Sequence, residues 1–142
     1  MKKWLKIWFV LLPVLFLSSM CETNNGLEIP YVRVDENLLL YADLKGIGPG
    51  QTITVDGGVN GLIVYCEDFN TYHVYDRTCT LWPDHNEAVL MDTTWREIVY
   101  TCPECESQYL MLSNADPISG PAVFGLKKYH SVLDGDILHV YN

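Results

Sequence analysis

Short β-rich runs recur along this chain about every ten residues, each cut off by Gly, Asn or Asp, which is the rhythm of an all-β sandwich or barrel. Residues 52–55 alternate and lead into the turn Asp56-Gly57-Gly58. Residues 61–65 (GLIVY) run into a second turn at 67–70 (EDFN), and 72–75 (YHVY) follow. A hairpin is predicted there, with Cys66 near its turn end, opposite Tyr72. Runs at 88–91, 97–100, 108–112 and 124–129 continue the series, and Asp134-Gly135-Asp136 introduces a last one at 137–141. No segment combines the length and the 3.6-residue period of a core helix. The expected fold is all-β, built from short antiparallel strands.

The N-terminus stands apart from this pattern. Lys2, Lys3 and Lys6 precede an unbroken apolar run at 7–17. That run is too short to span a bilayer, which takes about 20 residues, and it suits the core of a signal peptide. It ends in Leu17-Ser18-Ser19-Met20-Cys21, which resembles a bacterial lipobox, with Met20 larger than the residue usual before the cysteine. The resemblance implies that Cys21 becomes the acylated first residue of a lipoprotein, and several acyl chains anchor stably where one is marginal. Residues 1–20 are thus read as a lipoprotein signal peptide, 21–30 as a polar lipidated tether, and 31–142 as one β domain. Losing Lys2, Lys3 and Lys6 takes the formal net charge from −9 to −12. Such acidity argues against nucleic acid as a partner. It also leaves the lipid, not the protein surface, to hold the chain at an anionic membrane. The expected location is the bacterial cell envelope, periplasmic or surface-facing.

Four cysteines remain once Cys21 is lipidated: Cys66, Cys79, Cys102 and Cys105. Cys102-Pro103-Glu104-Cys105 has the spacing of a redox or metal motif. A thioredoxin-type site needs a helix that starts at the first cysteine, whereas the flanking runs 97–100 and 108–112 are strand-like. A zinc ribbon needs a second Cys-x-x-Cys pair, and the sequence has none. Cys66 is separated from Cys79 by a stretch of strand of roughly 23 Å, at about 3.3 Å per residue, too far to share a metal ion.

The two cysteine-bearing segments resemble those of Rieske proteins, most closely small Rieske-like lipoproteins of Gram-negative bacteria. That family carries Cys-x-His in one hairpin loop and Cys-x-x-His in another, both closing over a [2Fe–2S] cluster with cysteines on one iron and histidines on the other. Here the first loop reads Cys79-Thr80-Leu81 and the second Cys102-Pro103-Glu104-Cys105. Ser107 and Tyr109 stand where the family places hydroxyls that donate toward the sulfurs. Gly120-Pro121-Ala122, with Leu126 and Tyr129 beyond, resemble the segment that covers the cluster from the side. The resemblance implies a Rieske-like β sandwich or barrel with two cysteine-bearing hairpin loops. Two departures bear on function: Leu81 replaces the first histidine and Cys105 the second. Glu106 also replaces a glycine and is expected to crowd a tight loop.

Three readings of the site follow. In the first, a modified [2Fe–2S] centre held by Cys79, Cys102, Cys105 and a fourth ligand carries single electrons. His85 or Asp84, both in the first loop, are candidates for that ligand, as is an exogenous group. In the second, the same cysteines clip a zinc ion. In the third, no metal is bound and Cys79 is disulfide-bonded to Cys102 or Cys105, leaving a binding or structural module of the envelope. In each the protein is at most an electron carrier and not an enzyme, and its redox or envelope partner is unknown. No Ser-His-Asp order, paired carboxylates or phosphate-binding glycine loop is present. His73, His130 and His139 fall within β runs, Trp82 and Trp95 read as packing residues, and Lys127-Lys128 reads as a solvated basic pair.

Overall fold

The computed structural model describes residues 29–81, 86–94 and 97–142. The leader, Cys21, Trp82, Asp84, His85 and Trp95 lie outside the described residues. Among those described there are ten strands: β1 (Asp35–Leu39), β2 (Thr52–Val55), β3 (Leu62–Asp68), β4 (Thr71–Asp76), β5 (Leu90–Met91), β6 (Val99–Thr101), β7 (Gln108–Leu110), β8 (Asp116–Ser119), β9 (Lys128–Asp134) and β10 (Ile137–Tyr141). They form two sheets, a six-stranded one in the order β1-β10-β9-β4-β3-β2 and a four-stranded one in the order β5-β6-β7-β8. Neighbouring strands are antiparallel throughout. The all-β class expected from the sequence is the class observed.

The hairpin of β3 and β4 is the wall between two cores. Alternate residues of a strand point to opposite faces, and here both faces are covered. Leu62, Val64 and Cys66 of β3 join Tyr72 and Val74 of β4 in a core with Val34, Leu38, Leu44, Tyr129, Leu138 and Val140. Ile63 and Tyr65 of β3, with Tyr75 of β4, face the other way into a core shared with the small sheet. This explains why residues 62–66 read as an unbroken apolar run, since a strand buried on both faces loses its alternation. Cys66 pairs with Tyr72, as the sequence predicts.

Three elements depart from expectation. β1 and β8 carry no strand signal, and β9 starts at Lys128, where the sequence suggested a run at 124–129. Residues 120–127 are a connection lying over the cysteine loops, and Val123 and Phe124 are exposed.

Candidate metal centre

Each cysteine loop is braced at its base by a short ladder. The first leaves β4 at Asp76 and returns to β5, held by the bridge between Thr78 and Ala88 and by bonds from Cys79 N to Glu87 O (2.9 Å) and from Val89 N to Arg77 O (2.7 Å). Asp76 fixes where that loop starts. Its buried carboxyl accepts bonds from Val59 N, Thr78 N, Thr78 Oγ1 and Tyr129 OH, at 2.5 to 2.9 Å. The second loop is the tip of the β6–β7 hairpin, closed by Cys102 N to Ser107 O and Glu106 N to Cys102 O, both at 2.9 Å. Glu106 fits by taking a left-handed backbone (φ 59°) with its side chain exposed. The crowding expected there is avoided at a cost of about 1–2 kcal/mol for a residue with a Cβ.

The two loops bring together Cys79, Cys102 and Cys105, whose sulfurs all lie within 4.8 Å of one another. Cys79 and Cys102 are buried and Cys105 is partly exposed. Leu81 is packed against this core as a partly buried side chain, so hydrocarbon stands where the resemblance would put a histidine. Hydroxyls meet two of the sulfurs. Cys105 Sγ donates to Ser107 Oγ at 3.1 Å, and that oxygen also accepts Ala122 N at 3.0 Å. Tyr109 OH lies 3.5 Å from Cys79 Sγ and 3.0 Å from Thr80 Oγ1, and it accepts Thr80 N. Because Thr80 Oγ1 donates to Phe124 O at 2.6 Å, the Tyr109 proton is left to point at either Thr80 Oγ1 or the Cys79 sulfur.

These surroundings set the thiols apart. Burial pushes Cys102 up to about 12. Burial also acts upward on Cys105, but bonds from the Ser107 side chain and backbone and from the neighbouring thiols outweigh it, and its thiol is held below the ordinary range. Tyr109 is raised well above the usual tyrosine range, first by burial and then by the Cys79 sulfur.

The covering segment is fitted to the second loop. Gly120 has φ +87°, and a Cβ there would stand 2.5 Å from Ser107 Cα and 2.8 Å from its nitrogen. Only glycine lets the backbone come this close. Ala122 and Leu126 complete the core around the cysteines, whereas Tyr129 belongs to the other one. Cys66 also faces away from the site, its sulfur donating to Asp68 O at 3.1 Å. His73 is bonded to Glu67 at 2.7 Å, and His130 stacks on Tyr141. Neither belongs to the cysteine group. Sequence reasoning missed Asp76 and Thr80. Asp76 with Thr78 two residues on is a turn signature that could have been noticed, while Thr80 has no signature beyond following Cys79.

The three thiols are compatible with an iron–sulfur or other metal site. A [2Fe–2S] cluster of the kind the resemblance implies takes four protein ligands, two per iron, and the described residues bring three thiols together. The sulfurs of Cys79 and Cys105, from different loops, are 3.5 Å apart. One ion with metal–sulfur bonds of about 2.3 Å sets its sulfurs about 4 Å apart, which is the size of this triangle.

Neither a protein-family model nor a curated protein matches the chain. Among solved structures it is similar to the ferredoxin of carbazole 1,9a-dioxygenase from Nocardioides aromaticivorans IC177, at 17% identity and a TM-score of 0.44, over 78% of this chain and 98% of that one.

Proposed function

We propose that this chain is a membrane-anchored lipoprotein of the bacterial envelope whose β domain holds a single metal ion between the thiolates of Cys79, Cys102 and Cys105. The observation that carries the reading is the sulfur triangle, with no pair more than 4.8 Å apart. It is a non-catalytic module. Among the described residues no helix is long and apolar enough to cross a membrane, and anchoring is assigned to acylated Cys21. The fourth ligand is assigned to His85 in the first loop, since structural zinc is almost always four-coordinate. Zinc in this site is a clip that ties the two loops together.

A second reading, one-electron transfer to an envelope partner, is favoured by the hydroxyls of Tyr109 and Ser107. Hydrogen bonds to thiolate sulfur tune the potential of an iron–sulfur centre, and here they would act on a single iron. Elemental analysis of the full-length lipoprotein, purified in detergent without oxygen, tests both. About one metal per chain without acid-labile sulfide is expected, and iron that cycles reversibly would select the carrier. About two irons with two sulfides would overturn the single-ion reading. In the loaded protein, His85→Ala is expected to weaken metal binding at least about tenfold.

A further inference from the structure

Two of the three thiols are placed for a reaction of their own. Cys79 and Cys105 come from different loops, 26 positions apart, and their sulfurs approach to 3.5 Å. A disulfide needs about 2.05 Å, so a closure of roughly 1.5 Å would join the loops. The thiols also differ in access: Cys79 is 3% exposed and Cys102 1%, while Cys105 is of intermediate exposure. An incoming disulfide therefore meets Cys105 first. This reverses the order of a thioredoxin-type Cys-x-x-Cys, in which the first cysteine, at a helix N-terminus, is the reactive one. Here the first cysteine is sealed in a hairpin, and a thiol of the other loop, Cys79, stands 3.5 Å behind Cys105.

We propose that Cys79 and Cys105 form a reversible disulfide by exchange with a small-molecule or protein disulfide, and that the oxidised site does not hold the metal ion. The Cys105 thiolate attacks the incoming disulfide, and a mixed disulfide forms as one thiolate leaves. The Cys79 thiolate then attacks the Cys105 sulfur, and the second thiolate leaves. The protein pair loses two electrons and two protons, and the oxidant, reduced by two electrons, takes up both protons as two thiols. Of the three sulfur ligands only Cys102 remains, which is too few to keep an ion. The exchange uses the cysteines of the metal site but does not depend on metal binding.

The test is to treat the full-length lipoprotein, stripped of metal by a chelator, with oxidised glutathione. Free thiols are then alkylated, and linked peptides are mapped by mass spectrometry without reduction. A Cys79–Cys105 link is expected, with Cys66 and Cys102 alkylated, and Cys79→Ser is expected to stop at a glutathione adduct on Cys105. A link involving Cys102, or all four thiols remaining alkylatable, would overturn the proposal, whether or not the variant folds. Preloading with zinc is expected to slow the link at least tenfold, and equal rates with zinc demonstrably bound would overturn the claim that the two states exclude each other. A link in a protein that binds no zinc would sink only the metal reading. Zinc binding with no link would sink only this one.

Discussion

The two sheets bury their residues by different means. The six-stranded sheet has strands of up to seven residues, with ladders of four to six pairs joining β1 to β10, β2 to β3 and β3 to β4, and its core is mainly aliphatic. The small sheet has strands of two to four residues. Its core mixes Tyr65, Tyr75, Tyr100 and Tyr109 with the cysteines. Strands this short supply little stability by themselves, so bonds between loops must make up the difference. Thr80 ties Tyr109 to Phe124, Ser107 ties Cys105 to Ala122, and Thr52 ties Tyr100 and Glu97 O to the edge of the large sheet. The same polar contacts that address the sulfurs also hold the small sheet together. Chemistry and folding are therefore coupled in one half of the molecule and separate in the other.

The strongest way to break that contrast is at Asp76, the joint between the halves. Asp76→Asn keeps an oxygen for Thr78 but turns an amide toward Val59 N and Tyr129 OH, both of which now donate to the carboxyl. Leaving buried donors unpartnered costs about 1–3 kcal/mol each, so a loss of about 3 kcal/mol or more is expected in urea denaturation. Amide exchange should rise in both sheets, and a rise confined to one would show that Asp76 is not the joint.

Gly120→Ala addresses the small sheet alone. The added methyl must push the covering segment off Ser107, and over-packing of this kind costs about 1–3 kcal/mol. The expected result is faster exchange at Tyr100 and Tyr109 and weaker metal binding, with β3 and β10 unchanged. Unchanged metal affinity would mean that the segment does not support the cysteine loops.

Alkaline titration compares the two cores more gently. Burial raises Tyr75 to about 12 and puts Tyr109 and Tyr129 well above the usual range. Below about pH 10 these groups are protonated in both states and stability does not depend on them. Above it the unfolded tyrosines lose protons that the folded ones keep, so stability falls as pH rises, by about 1.4 kcal/mol per pH unit for each such group. Tyr75 and Tyr109 lie in the cysteine core and Tyr129 in the other. Tyr129→Phe should remove one share of the slope and Tyr109→Phe another, as read from denaturation midpoints across the alkaline range. A slope that neither variant changes would refute the assignment.

The contrast also governs what could be read from the sequence. The β3–β4 hairpin was legible because both its faces are apolar and its turn is rich in Asp and Asn. The second cysteine loop was legible because Cys-x-x-Cys spacing is rare by chance, and the first, with its single Cys79, only through the family resemblance. β1 was not legible: its sequence, DENLL, buries only Leu38, since it lies at the sheet's edge and exposes the rest. β8 was hidden by Pro117, which an edge strand tolerates and a central one does not. The run at 124–129 misled because Phe124 looks like a strand residue, yet its work is done by its carbonyl, which accepts the Thr80 hydroxyl. Backbone acceptors and lone hydroxyls leave no periodic trace in a sequence, and much of this site is made of them.

The smallest expected effect is the sharpest check on the separation of the cores. Cys66 and Cys79 are the same residue type and both are buried. Cys66, however, sits on the β3 face turned to the aliphatic core, where burial raises its thiol and its sulfur donates only to Asp68 O. Cys66→Ala removes one buried atom, a change comparable to deleting a methyl group and worth about 1 kcal/mol. Metal content per chain and the Cys79–Cys105 link should be untouched, because β3 points its odd-numbered residues, Ile63 and Tyr65, at the site and not Cys66. A variant that lost metal would show that the hairpin does not insulate one core from the other. The local construction of the small sheet would then depend on packing across the whole molecule.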